Sequence, residues 1–146
     1  MIQDSIKLTG ELRITVTNPK GNVKHEVVVP NLVVTAGKNL IASRLKDTTD
    51  AAMSHMAIGT GSTAAAAGDT TLGTEAGRVA LTSTTVTANA VAYVATFGAG
   101  TGTGAITEAG LFNASSSGDM LCRTVFSVIN KGAADTLGIT WTVTVN

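Results

Sequence analysis

The chain has 146 residues, of which 44% are hydrophobic and only 3% aromatic, and its ten basic and ten acidic side chains cancel. That length fits one domain with a sizeable core, and so few large rings favour thin sheet-on-sheet packing over a deep ligand pocket. Neither residues 1–50, with seven basic against five acidic residues, nor residues 51–146, with three against five, carries the basic stripe that drives nucleic-acid binding.

Residues 1–9 are short and mixed and are expected to form an N-terminal arm or an edge strand. A single domain then spans 10–146. Leu12, Ile14 and Val16 alternate with Arg13, Thr15 and Thr17, which is the period of a half-buried strand. Asn18-Pro19-Lys20-Gly21-Asn22 supplies a turn, and residues 23–29 return as the second strand of a hairpin covering 10–30. After Pro30 and Asn31, Leu40, Ile41 and Leu45 fall near helical spacing, with Lys38, Arg44 and Lys46 outside. They place the one helix at about residues 37–46.

Met56-Ala57-Ile58 reads as a short strand leading into Gly59-Thr60-Gly61. Residues 59–71 are low in complexity and read as a loop, because Gly61 and Gly68 leave the Ala64–Ala67 run only one helical turn. Leu72–Arg78 reads as a short helical turn or a connection. No charged residue occurs from Val79 to Thr107. Within that run Val86 and Val91–Phe97 support two strands, with Val91, Tyr93, Ala95 and Phe97 on one face. Gly98, Gly100, Gly102 and Gly104 mark a loop, Ile106–Phe112 a strand or bend, and Asn113–Asp119 a turn. Met120–Asn130 is a strand, and Lys131–Asp135 turns into the cleanest strand of all. There Leu137, Ile139, Trp141, Val143 and Val145 face one way and Thr136, Thr140, Thr142 and Thr144 the other. Seven or eight short strands with Gly-rich turns and one helix predict a mainly β fold, an antiparallel β-sandwich or jelly-roll-like domain. Such a fold exposes sheet edges that a neighbour can pair with.

The inventory of reactive groups is thin. His25 lies between Lys24 and Glu26 on a hairpin strand, His55 follows a polar loop, and no serine sits in a GxSxG elbow. Two distant histidines and scattered carboxylates give no HExxH, no EF-hand loop and no cysteine pair. Asp69, Asp119 and Asp135 lie beside glycines or in turns, where aspartate caps backbone amides. Gly59-Thr60-Gly61 and the Gly98–Gly104 loop lack the lysine and following helix of a phosphate loop. Glu75 and Arg78 stand three apart. Glu108 is the only charge between Arg78 and Asp119, which suggests a structural pair with Arg78 or with Arg123. Cys122, the one cysteine, allows no intrachain disulfide and reads as a small buried hydrophobe. No catalytic residue, cofactor site or metal site is therefore expected. With Asp4 near its start and no long apolar run, the chain is expected to be made in a reducing cytoplasm, without a secretory signal or membrane span.

The segments LVVTAGKNLIASRL, MAIGTGSTAAAAGDTTLGTEAGR, TFGAGTGTGAITEAGLFN and MLCRTVFSVINKGAADTLGITWTVTV together resemble a widespread family of tailed-bacteriophage virion structural proteins. AIGTG…GDTTLGTEAGR and ITEAGLFN are the most specific parts, and the resemblance covers about residues 31–146. Related pieces occur as capsid cement (decoration) proteins and within tail-fibre or collar proteins. The resemblance implies a β-sandwich building block with no catalytic signature. The absence of a long repetitive shaft in this sequence favours a cement protein on the outer capsid surface of the virion. Its partners would be the major capsid protein and further copies of itself as a homo-dimer or homo-trimer, with no nucleic acid or membrane. Leu12, Ile14 and Val16 of the hairpin are candidate interface anchors, and the arm before them is a candidate clamp on a neighbour. A tail collar, fibre-base or adaptor role is the alternative. Carbohydrate binding is a third reading, and it would have to use Tyr93 and Trp141 as aromatic platforms.

Overall fold

The computed structural model describes residues 4–146. In chain order these form β1 (Leu8–Thr17), β2 (Val23–Pro30), β3 (Leu32–Val33), α1 (Thr35–Lys46), β4 (His55–Gly59), β5 (Glu75–Ala80), β6 (Ser83–Thr87), β7 (Ala90–Phe97), β8 (Gly104–Phe112), β9 (Met120–Lys131) and β10 (Thr136–Val145). Two five-stranded sheets result, sheet A in the order β2-β1-β10-β7-β6 and sheet B in the order β3-β9-β8-β4-β5. Every strand pair is antiparallel. The fold is a β-sandwich with an N-terminal hairpin and one helix.

Alternation builds the core. Leu12, Ile14 and Val16 on β1 stand opposite Trp141, Ile139 and Leu137 on β10, and Tyr93, Ala95 and Phe97 of β7 continue the same face. From sheet B, Met56, Ile58, Ile106, Leu111, Cys122 and Ile129 pack against them. Successive residues of a strand point to opposite faces, so this single layer of apolar side chains fills the space between the sheets.

The hairpin turn follows from its sequence. Asn18 Oδ1 accepts from the amides of Lys20 and Asn22, both at 3.0 Å, and Gly21 takes the left-handed conformation at φ 84°. A bulge between Val16 and Thr17 lets the strand bend into that turn.

Leu12, Ile14 and Val16 are each 0% exposed. They are core residues, and the expectation that they anchor a partner is corrected. Their alternation identified the buried face, and what buries it is the facing sheet. The expected arm is also shorter than residues 1–9. Leu8 and Thr9 already pair with Val145 and Thr144, and Lys7 and Asn146 exchange backbone hydrogen bonds of 2.9 and 2.7 Å. Residues 4–7 are exposed, and residues 1–3 of the expected arm lie outside the described residues.

The helix runs over Thr35–Lys46 and starts two residues earlier than the apolar spacing predicts. Val34 at its N-cap has no side-chain cap, but the Thr35 amide donates to Ala67 O at 2.8 Å, so a tertiary contact extends the first turn. The helix seats Gly37 and Leu40. A Cβ on Gly37 would lie 2.1 Å from Leu121 O, so only glycine permits this approach to β9. Leu45, expected on the packed face, is 86% exposed. Leu72–Arg78, read as a turn or connection, contains the start of β5, which pairs with β4 across a bulge at Ile58/Gly59. Its Glu-Ala-Gly-Arg sequence has little intrinsic strand preference, and the long-range pairing overrides it.

Candidate functional site

Sheet B is covered on both faces, and side-chain hydrogen bonds tie its outer covering to the strands beneath. The segment between β4 and β5 folds back across β8 and β9. Beneath it Val34, Ala57, Leu72, Phe112 and Met120 form a second apolar cluster. This explains why Ile106–Phe112 of β8 are buried without a break, since a strand covered on both faces shows no alternation of exposure.

Glu108 sits at the centre, 0% exposed. Its Oε1 accepts from the amides of Gly61 (2.9 Å) and Thr74 (2.7 Å), and its Oε2 from the amide of Gly73 (2.9 Å). Arg123, 2% exposed, donates to Oε2 from Nη2 at 2.8 Å and from Nε at 3.3 Å. Arg123 Nη1 reaches Asp69 Oδ2 at 2.8 Å, and Nη2 also donates to Thr63 O at 3.0 Å. Asp69 in turn accepts from the Ala66 amide at 2.8 Å, and the Thr107 hydroxyl donates to Gly61 O at 2.7 Å.

A carboxylate offers about four lone-pair sites, and the five donors around Glu108 saturate it. Burial works to raise the Glu108 carboxyl. The amides of Thr74, Gly73 and Gly61 and the Arg123 guanidinium outweigh that and hold it below its ordinary value. For Arg123 burial works to lower the group, and the Glu108 and Asp69 carboxylates hold it above its usual range. The array is a satisfied internal ion pair that ties residues 61–74 to the sheet. Within it the Glu108 carboxylate has no lone pair left over.

The glycines of this segment are there for space. A Cβ on Gly61 would lie 2.5 Å from Glu108 Oε1. One on Gly59 would lie 2.3 Å from Thr74 O and 2.6 Å from the same carboxylate oxygen. The Gly59-Thr60-Gly61 element therefore cradles a carboxylate belonging to its own chain.

Of the two partners expected for Glu108, the structure selects Arg123. Arg78 pairs with Glu75 at 2.7 Å, donates to Ala114 O (3.0 Å) and Ser117 O (2.9 Å), and lies 3.8 Å over the Phe112 ring. Nothing in the sequence separated the two arginines. The deciding facts are the β8–β9 register, which sets Gly110 opposite Arg123, and the reach of the loop.

His25 is exposed on β2, and His55 Nδ1 lies 2.8 Å from the Ser54 hydroxyl on β4. They stand on different sheets. Cys122 is buried, and its thiol is pushed well up by that burial. Among the described residues no group of three or more His, Cys, Asp or Glu could hold a metal ion. No helix among them is long and apolar enough to cross a membrane.

Asp135 accepts from the Gly132 amide at 2.8 Å and pairs with Lys24 at 2.5 Å, which joins the β9–β10 turn to β2. Lys131, 1% exposed, donates to Gly98 O at 2.8 Å. A shallow, open groove of about 260 Å³ lies between α1 and β7, lined by Leu40, Ile41, Leu45, Met53, Tyr93 and Leu121 with Arg44 at its rim. No family model, curated protein or solved structure matches the chain.

Proposed function

We propose that the chain is a virion structural protein of a tailed bacteriophage, a cement (decoration) protein that binds the outside of the assembled head shell. The observation that carries this reading is the fate of the motif residues on which the resemblance rests. Gly59, Gly61, Asp69, Gly73, Thr74 and Glu108 are all spent on one internal clamp. A motif of that kind preserves a shape, which is what a building block needs. An enzyme family would instead keep reactive groups open to a substrate.

The mechanism is mass action. A protein that binds only the assembled lattice lowers the free energy of that lattice, by about 2.7 kcal/mol per site at a hundredfold excess over Kd. Contacts to the shell come from the exposed surfaces of sheet A and its edges, since the inner face is sealed. The carbohydrate-binding reading loses one of its two aromatic platforms, because Trp141 lies fully inside the sandwich.

Copy number in purified parent particles, measured by quantitative mass spectrometry against the major capsid protein, tests the proposal. A ratio near that of the shell subunit is the expected result. A small fraction of it moves the chain to the tail collar or a fibre base. Absence from the particle removes the virion reading altogether.

A further inference from the structure

Four strands end the two sheets among the described residues, and three of them are guarded. β2 carries Lys24, Glu26 and Pro30, and lies beside the Val16/Thr17 bulge. β3 is two residues long, and α1 follows it to seat Gly37 against the backbone of Leu121. β5 carries the Glu75–Arg78 pair, and its Gly77 packs against Thr101 and Gly102 of the β7–β8 loop. Charge, proline, bulges, short length and covering elements are the standard means of preventing unwanted strand pairing.

β6 has none of the chemical guards. Its sequence, Ser-Thr-Thr-Val-Thr, is uncharged and β-branched, and all five residues are exposed. Val86 is 69% exposed. The strand also lies within the charge-free run from Val79 to Thr107, so no neighbouring residue in sequence supplies the missing charge.

We infer that β6 is a self-association strand, which pairs antiparallel with β6 of a second copy about a two-fold axis and joins two A sheets into one. Backbone geometry supports a definite register. Thr87 pairs with Ala90 across the two-residue turn at Ala88-Asn89, where Ala88 takes φ 52°. Pairs that flank such a turn exchange both backbone hydrogen bonds, and the pattern alternates from there. Thr87 and Thr85 therefore direct their backbone groups toward β7, and Thr84 and Val86 direct theirs outward. Full overlap of two such strands sets Thr85 against the second copy's Thr85 at the axis, and Thr84 against the second copy's Val86.

A second copy is the occupant because the edge is self-complementary. Five uncharged residues meet themselves with no like charges opposed, and two identical Thr–Val cross-strand pairs cover the exposed Val86. A partner of either charge would find nothing on β6 to select it. Five residues fall short of the area of a standard stable interface. The free chain is therefore a weak, concentration-dependent dimer. The inference stands whether or not the chain belongs to a virion.

Sedimentation equilibrium of the full chain, from about 10 μM to about 1 mM, is the test. The average mass is expected to rise toward two chains, and a monomer throughout would overturn the inference. Thr85→Lys sets like charges face to face at the axis and should return the mass to one chain with the melting temperature unchanged. If the dimer persists undiminished in a folded Thr85→Lys protein, β6 is not its interface.

Thr85→Cys supplies a readout that needs no disruption. A non-hydrogen-bonded antiparallel pair brings its Cα atoms to about 4.5 Å, within the span a disulfide bridges. Mild oxidation should give a covalent dimer, with Cys122 buried and out of competition. Val86→Cys, opposite a threonine, should cross-link far less. Equal cross-linking of the two variants would overturn the register.

Discussion

The outer faces of the two sheets solve the same problem in opposite ways. Sheet B is roofed by residues 60–74. Beneath that roof an arginine, two carboxylates and three loop amides are wired together, and β8 is buried on both sides. Sheet A leaves its outer face to water, with Thr136, Thr140, Thr142 and Thr144 along β10 and an exposed Arg13–Glu26 pair at 2.6 Å beside them. An exposed pair of that kind contributes at most about 1 kcal/mol. Charge therefore has different work in the two places. In sheet B it fixes a long connection that has few apolar residues of its own, and in sheet A it keeps a flat surface wet. Stability and surface chemistry are divided between the sheets, and each half can be tested without the other.

The largest effect is expected at the clamp. Glu108→Ala leaves Arg123 buried without its main partner and leaves the Gly61, Gly73 and Thr74 amides without an acceptor. Removing one member of a buried ion pair costs about 3–5 kcal/mol, which urea unfolding would register as a lower midpoint at constant slope. The double change Glu108→Leu with Arg123→Met should recover only part of this. It removes the stranded charge, but each unmet amide still costs about 1–3 kcal/mol. Full recovery would mean that the amides find water in the open loop, and the roof would then be dispensable.

How far the sequence reveals these two regions follows from their construction. Sheet A was legible strand by strand, because one dry face and one wet face leave a period of two in β1, β7 and β10. Sheet B was read in part: β4 and β9 were legible as strands, β8 only as a strand or bend, and β5 not at all. Burial on both sides removes the period from β8, and the Ala-Gly-Arg of β5 becomes a strand only through its pairing with β4. The helix start moved because the Thr35 amide found a carbonyl far along the chain. The isolation of Glu108 in an uncharged stretch did signal a structural pair. Which arginine it meets depends on strand register, and that is a long-range property. Leu12, Ile14 and Val16 were correctly seen as an apolar face and wrongly assigned to a partner, since periodicity shows that a face is buried but not by what.

That correction has its own test. Ile14→Ala opens a cavity where β1 meets Ile139 of β10, and should cost about 2–5 kcal/mol. On the other side of the same sheet, Thr140→Ala should change stability by no more than about 0.5 kcal/mol. Thermal or chemical unfolding of the isolated chain is enough for both. An Ile14→Ala protein as stable as the parent would return these residues to the list of interface candidates.

Acid should produce a smaller and more local change, and it separates the two regions without mutation. The Glu108 carboxyl is held below its ordinary value in the folded chain, and so is Asp69, chiefly by the Ala66 amide. A carboxyl whose folded pKa is depressed contributes stability that is fully present above its unfolded pKa, about 4.3 for glutamate. That contribution is lost as pH falls through the lower folded value. The clamp should therefore hold unchanged from neutral pH down to about 5 and loosen only below the ordinary carboxylate range. Its opening should come first at the amides it accepts from. Hydrogen exchange corrected for intrinsic rates should show Gly61, Gly73 and Thr74 losing protection as pH drops. Ile139 and Trp141, which stand between Ile14 and Ala95 and between Leu12 and Tyr93 with no carboxylate directly opposite, should keep theirs. Parallel loss at both sets of amides would mean that roof and sandwich unfold as one unit, and the division of labour between the sheets would be a matter of description only.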